Sequence, residues 1–300
     1  MSGRWKRYAV MLFALVLSVS VAAAEKKWPI EGYWLPEQAS TYAAKIDDLF
    51  NGILYLTGFV FVVTELLLVF FLIKYRRQEG RKAVYSHGNH KLEMIWTLIP
   101  ALILAIIAFV QKSTWDDIKS KIPEGSDTIQ VKNYAEQFQW NFRYAGPDGK
   151  WGTKDDLFEM NNLVVPVNKN IVIEQTSKDV IHSFFLPYMR LKQDTVPGMQ
   201  IKVWFNATKT TKDMQSRRSG DWNYEIVCAE LCGNQHSQMK GIMKVLEPAE
   251  YDEWLKKRSK EFEEGEIDVN TKLWDTWQVD EKGNRKFPVA AKEEKKEGAH

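Results

Sequence analysis

Apolar residues crowd into the first third of this chain, and there they run on continuously instead of alternating. Residues 53–73 make an apolar run of 21 residues; at 1.5 Å per residue a helix of that length is about 31 Å long, enough to cross a bilayer. Residues 94–110 make a second run of 17 residues, near the lower limit for a span at about 25 Å. We therefore expect two membrane helices, over about 53–73 and 94–111, in a hairpin occupying residues 25–112. Pro100 inside the second is tolerable, because neighbouring helices can re-satisfy the freed carbonyl. Ahead of them, Arg4, Lys6 and Arg7 precede an apolar run at 8–21 and then Ala22-Ala23-Ala24. Basic, apolar and small residues in that order predict a secretory signal over residues 1–24, cleaved after Ala24. The connection between the spans carries Lys74, Arg76, Arg77, Arg81, Lys82 and Lys91, so it should face the cytoplasm, leaving both ends of the mature chain outside.

From residue 127 onward the pattern changes to short runs separated by Pro, Gly, Asn and Asp. Segments 128–134, 162–166, 170–175, 200–205, 222–227 and 241–246 read as strands, and several short strands between turn signals predict a Greek-key sandwich or barrel over residues 125–248. The turn-rich stretch 146–157 contains Asp148, Asp155 and Asp156. A calcium loop needs more oxygen ligands at regular alternation, so a surface hairpin is expected here. After Pro248 a helix should place Tyr251, Trp254 and Leu255 on one face. From about Lys256 the charge-rich remainder of segment 249–300, ending Lys292-Glu-Glu-Lys-Lys-Glu-Gly-Ala-His300, reads as a solvated tail.

Composition narrows the picture only a little. Three hundred residues, 45% hydrophobic and 27% charged, admit one or two globular domains. The formal net charge is +2, and no nucleic-acid partner is expected. The chain shows no internal repeat, no phosphate-cradling glycine motif and no Cys-x-x-Cys-His for attached haem. Glu65 lies inside the first span and Glu93 at the cytoplasmic start of the second; a lipid-facing carboxylate is costly, so each should face protein or water.

The chemistry is concentrated in Cys228-Ala-Glu230-Leu-Cys232-Gly-Asn-Gln-His236-Ser-Gln-Met239, which holds both cysteines of the chain. Thiolate, thioether and imidazole together form a soft donor set, and copper is the metal it suits. A mononuclear blue-copper site needs one cysteine and two histidines, so the second thiolate is left over unless two coppers are bridged. A bridged pair needs a second imidazole. Of the five histidines, His300 is terminal and His87 and His90 sit in the basic loop, which leaves His182 at the edge of the strand-like stretch 179–187. A disulfide is the commonest use of two cysteines in an exported chain, but it gives no reason for the spacing Cys-x3-Cys-x3-His-x2-Met.

That loop, with Asp179-Val-Ile-His182 and Leu191-Lys-Gln-Asp194-Thr-Val-Pro197-Gly198, resembles the CuA domain of subunit II of a haem–copper cytochrome c oxidase. Glu93-Met-Ile-Trp96-Thr-Leu-Ile-Pro100-Ala resembles the same subunit's second membrane helix. The likeness covers roughly residues 40–250. It implies a transmembrane two-helix hairpin followed by an all-β cupredoxin domain (a Greek-key barrel), a short C-terminal helix and a charged tail. It further implies that His182 and His236 each bind one copper, that Cys228 and Cys232 bridge the pair, that Met239 is one axial ligand, and that Glu230 supplies the other through its backbone carbonyl. The Glu230 side chain is implied to hold magnesium at a subunit interface, and Glu93 to stand at the mouth of a proton path into subunit I.

The activity implied is that of an aerobic terminal oxidase in a bacterial-type inner membrane, with the copper domain on the periplasmic side. Cytochrome c or a similar donor reduces the dicopper centre, electrons pass to haem in subunit I, oxygen becomes water and protons are pumped. One stretch departs from the family: Phe138-Gln139-Trp140 stands where Trp-Tyr-Trp is usual, and the first tryptophan of that run is associated with electron arrival from cytochrome c. Either Trp140 substitutes or the donor docks differently, and the alternating aromatics also fit the buried face of a strand. The alternative function is a membrane-anchored cupredoxin carrier outside an oxidase. A quinol oxidase subunit would lack the copper ligands, and an assembly subunit stapled by a Cys228–Cys232 disulfide would lack the metal.

Overall fold

The computed structural model describes residues 35–263 apart from 126, 154, 217, 219 and 220. The signal expected over residues 1–24 and the end of the charged tail lie outside the described residues. Helix α1 spans Ala43–Lys74 and α2 spans His90–Trp115, continued by a π-helical turn at Asp116–Ser120. Both are long and apolar enough to cross a membrane. Each overruns the predicted span, because the apolar run marks only the part that must sit in hydrocarbon. At its start α1 carries Ala43, which is buried, and Ile46, which packs on the β domain's core. At the start of α2, the Asn89 side chain caps the helix by accepting the Leu92 N–H at 3.2 Å. Ala43 is the single buried residue of the two helices, so their remaining surface is left for lipid or partner subunits.

The outer domain is two five-stranded sheets. In chain order the strands are β1 Thr128–Glu136, β2 Gln139–Tyr144, β3 Leu157–Met160, β4 Asn162–Pro166, β5 Asn170–Ser177, β6 His182–Leu186, β7 Leu191–Thr195, β8 Ile201–Asn206, β9 Tyr224–Cys228 and β10 Lys240–Leu246. One sheet runs β3-β2-β1-β5-β8 and the other β4-β10-β9-β6-β7. The pairs β1–β5 and β4–β10 are parallel and the rest antiparallel, the crossing pattern of an all-β sandwich in place of a simple meander. Alternation explains the core. Trp140, Phe142 and Tyr144 of β2 point inward with Ile171 and Ile173 of β5, and meet Phe184, Ile226 and Val245 from the facing sheet.

The aromatic stretch 138–144 is thus strand β2 and the residue before it, with one buried face, as its alternation allowed. Residues 145–156 join β2 to β3 as a hairpin connection. Within it Asp156 is buried and ion-paired with Arg143, so that carboxylate serves the hairpin itself. Helix α3 covers Thr211–Gln215, and α4 covers Pro248–Glu263. The latter begins where the proline predicts, with Tyr251 buried and Trp254 edge-on to Tyr144 at 5.3 Å. It does not give way to a tail at Lys256. Arg258 pairs with Glu159 at 2.6 Å and Ser259 donates to the Asp155 carbonyl at 2.8 Å, which docks another two turns on the sandwich.

The domain is tied to the hairpin by polar contacts. Arg190, at the β6–β7 corner with φ of 55°, forks onto Asp47 of α1 at 2.7 and 2.9 Å, and Lys119 of the turn after α2 donates to Gln193 of β7 at 2.6 Å. Between the two sheets, the buried Val164 N–H donates to the Tyr144 hydroxyl at 2.8 Å. Tyr144→Phe leaves that N–H without an acceptor and should cost about 1–3 kcal/mol, read as a lower denaturant midpoint in detergent-solubilised protein. An unchanged midpoint would show that the bond contributes nothing to stability.

Candidate metal centre

The facing sheet builds the site at one of its ends. β9 terminates at Cys228, and its neighbour β6 begins at His182, the two strands pairing through Phe184 and Cys228. The loop 229–239 then leaves β9 and returns into β10. It carries Cys232, His236 and Met239 back over the strand ends. His182 Nδ1 stands 4.0 Å from Cys228 Sγ, and the two sulfurs are 3.8 Å apart. Cys232 Sγ lies 3.6 Å from His236 Nδ1 and 3.9 Å from Met239 Sδ, and the Glu230 carbonyl oxygen lies 3.2 Å from Cys228 Sγ. All six expected donors therefore gather in one place. His182, Cys232 and Met239 are buried, Cys228 and His236 partly so, and the Glu230 side chain is exposed.

Both cysteines are free, and a sulfur separation of 3.8 Å is far beyond the roughly 2.05 Å of a disulfide. It is short enough for both sulfurs to bond the same ion at the roughly 2.3 Å usual for metal–thiolate bonds. Electrostatics points the same way. Burial opposes ionising Cys228, but the hydrogen bond to His182 and backbone N–H groups overcome it and pull the thiol down to about 6. Burial, joined by the neighbouring Cys228 charge, pushes Cys232 up to about 12. Two adjacent thiolates therefore coexist here only with cationic charge between them. Soft sulfur and imidazole donors, paired and largely dry, fit copper.

Three residues that hold this geometry escaped the sequence reading. His182 Nε2 is 2.9 Å from Asp179 Oδ1, which leaves Nδ1 turned to the sulfurs. Burial works against the Asp179 charge, yet His182 and the N–H groups of Gln137 and Val180 hold its carboxyl below the usual range. Gln137 also donates from its side chain to the Cys232 carbonyl at 2.6 Å, pinning the loop to the β1–β2 turn. Gly233 has φ of +143°, and a Cβ there would lie 2.8 Å from Gln137 Nε2 and 3.0 Å from the Phe138 ring. The Asp-x-x-His spacing and the glycine after Cys232 were the available signals.

The aromatic candidates separate. Trp140 is fully buried, edge-on to His182 at 6.1 Å and to Phe184 at 5.3 Å, whereas Phe138 is half-buried beside Gly233. Glu93 and Glu65 are not part of this cluster: Glu93 lies in the first turn of α2 with its carboxylate 3.5 Å from His90, and Glu65 is exposed on α1.

Two family models match the chain, cytochrome c oxidase subunit II, transmembrane domain, over residues 27–111, and cytochrome c oxidase subunit II, periplasmic domain, over residues 148–246. A probable cytochrome c oxidase subunit 2 of Rickettsia bellii is 31% identical over 280 residues, covering 88% of this chain and 96% of that one. An alternative cytochrome c oxidase subunit 2 of Bradyrhizobium diazoefficiens is 29% identical over 250 residues, 75% of this chain and 84% of that one. The crystal structure of the periplasmic domain of subunit II of cytochrome oxidase of Bradyrhizobium japonicum is 29% identical, covering 47% of this chain and 99% of that one, with a TM-score of 0.38.

Gly233→Ala should strain the loop by about 1–3 kcal/mol and weaken copper uptake at fixed free copper without unfolding the sandwich. Equal copper affinity in the two proteins would mean that the loop does not need its close approach to Gln137.

Proposed function

The chain belongs to the cytochrome c oxidase subunit II family, and on that premise we propose that His182, Cys228, Cys232, His236, Met239 and the backbone carbonyl of Glu230 hold its dinuclear copper. The observation that carries the assignment is the unbroken run of donor contacts from His182 to Met239, each between 3.6 and 4.0 Å. This is the CuA-bearing subunit of a haem–copper oxidase, so its own task is electron transfer. When bound, the dicopper centre accepts single electrons and releases them to haem in subunit I.

The chain's residues make that exchange easy by not moving. Asp179 fixes the rotation and tautomer of His182, Gln137 fixes the loop at Cys232, and the strand ends of β6 and β9 fix the separation between His182 and Cys228. A site held on rigid elements reorganises little when its charge changes, which keeps the barrier low. Burial of Met239 and Cys232 excludes water from the inner side. Phe138 offers a half-buried aromatic edge on the outside, and Trp140 packs against His182 from beneath.

The finer assignments follow from the same reading. Cytochrome c or a similar one-electron carrier is the donor. The chain lies in a bacterial-type inner membrane with the basic loop between α1 and α2 inside and the copper domain in the periplasm, since Arg76, Arg77, Arg81 and Lys82 crowd the short connection. Glu93 stands at the inner mouth of a proton path into subunit I, which couples oxygen reduction to proton pumping. The exposed Glu230 side chain, two residues from the first thiolate, takes magnesium at the interface with that subunit.

Two experiments test the assignment. The outer domain, about residues 128–246, should bind two coppers and be purple when oxidised. Cys232→Ser should lose the dinuclear site, while Met239→Leu should keep both coppers and upset the equal sharing of charge seen by electron paramagnetic resonance. A single copper with a blue-copper spectrum would sink the bridged assignment, and an unaltered leucine variant would strike Met239 from the ligands. For electron arrival, Trp140→Phe removes no hydrogen bond, since the indole N–H has no partner. It should slow stopped-flow reduction by cytochrome c at unchanged copper content, and Phe138→Trp should quicken it. An unchanged rate in Trp140→Phe would make the aromatic patch packing alone.

A further inference from the structure

Where the outer ends of α1 and α2 meet the β6–β7 corner there is a cavity of about 490 Å³ that the copper chemistry does not use. Its height in the membrane can be worked out from helix rise alone. Leu49 is 25 residues from the inner end of α1 at Lys74, or about 37 Å, and Lys119 is 26 residues from Glu93 on α2, or about 39 Å. Both therefore stand beyond a hydrocarbon layer of about 30 Å, at the level of the outer headgroups. Ala108 is 15 residues from Glu93, about 22 Å, still within the hydrocarbon. The cavity thus opens onto the hydrocarbon at Ala108 and rises to the headgroup level, where apolar Leu49 and Trp115 stand among cations.

Four cations line it, Lys112, Lys119, Arg190 and Lys192. Two are matched by carboxylates: Lys112 by Asp116 at 2.5 Å, and Arg190 by Asp47 at 2.7 Å. The other two lean on neutral groups. Half-buried Lys119 donates to the Gln193 amide oxygen at 2.6 Å, although Asp194 is close enough to act on it, and Lys192 lies 4.5 Å over the Phe185 ring. A pocket that opens onto the hydrocarbon at Ala108, with apolar side chains, an aromatic residue and surplus positive charge gathered at the headgroup level, matches one kind of molecule.

We propose that this cavity is a binding site for a single anionic phospholipid, its phosphate between Lys119 and Lys192, its glycerol end against Leu49 and an acyl chain leaving past Ala108. Such a lipid fills the wedge between hairpin and copper domain, next to the Arg190–Asp47 tie, and so sets how firmly the domain is seated on the membrane.

The test uses the assembled oxidase containing this chain, stripped in detergent and then titrated with phosphatidylglycerol, phosphatidylcholine or inorganic phosphate, with bound lipid counted by native mass spectrometry. Phosphatidylglycerol should be retained in preference to phosphatidylcholine. Lys119→Gln and Lys192→Gln should each weaken retention about fivefold, at unchanged copper content. Ala108→Trp, which fills the apolar end and leaves the charges alone, should weaken it as well and serves if the lysine variants do not assemble. Equal retention of the two lipids, indifference to all three substitutions, or displacement of the lipid by millimolar phosphate would each overturn the proposal. So would a parent complex that holds no lipid here because another subunit fills the cavity.

Discussion

Two sulfurs held 3.8 Å apart without bonding set the terms for the outer domain. Left to itself a flexible loop would close such a pair into a disulfide or swing the sulfurs apart to relieve their charge, so the separation has to be imposed from outside the loop. The sandwich imposes it from three directions. β9 fixes Cys228, the return into β10 fixes Met239 and with it the Cys232 side of the loop, and the β1–β2 turn reaches across through Gln137 to the Cys232 carbonyl. The same turn's backbone N–H binds Asp179, which steers His182. One turn therefore governs both halves of the donor set. The arrangement is strained for charge while no cation is present, because burial and mutual repulsion act together on Cys232, and it becomes favourable once positive charge is supplied.

The membrane half obeys a different logic. Apart from Ala43 its helices bury nothing within the chain, so they are held by bilayer and partner subunits, while the β domain keeps its own core. The ties between the halves include polar ones, Arg190 to Asp47, Lys119 to Gln193 and Ser40 to the Met189 carbonyl at 2.9 Å, beside the packing of Ile46 and Ile118 on the core. Arg190 is the most constrained of them. It sits in the left-handed region at a hairpin corner with its side chain buried, and removing either partner leaves a charge poorly solvated. Polar ties and core packing together seat the domain on the outer end of the hairpin.

The sequence reveals different parts of this molecule to different depths. The spans and the ligand loop are legible because each is local: an apolar run reports its own burial, and four donors within twelve residues report their own chemistry. Strands β1, β4, β5, β8, β9 and β10 are legible from alternation between turn signals. β7 is not, since Leu191-Lys-Gln-Asp-Thr195 pairs as an edge with mostly polar residues facing out. The extra turns of α4 were hidden for a similar reason: Arg258 and Ser259 look solvated until Glu159 and Asp155 are brought beneath them. Gln137 was missed because its partners lie 42 and 95 residues away, a distance that no local pattern spans, whereas Asp179 stands three residues before His182 and only its role was not legible.

The departure at residues 138–140 can now be located physically. Phe138 and Trp140 are two residues apart but have unlike environments. One is half-exposed against the loop at Gly233, and the other is fully enclosed against His182 and Phe184. They do not share an environment, because Trp140 is fully enclosed while Phe138 keeps part of its ring at the surface. At the half-exposed position this chain carries phenylalanine, a smaller ring than tryptophan and without an N–H, and the enclosed position against His182 is a tryptophan. The departure at residue 138 thus changes the exposed side of the patch and leaves the contacts of His182 as they are.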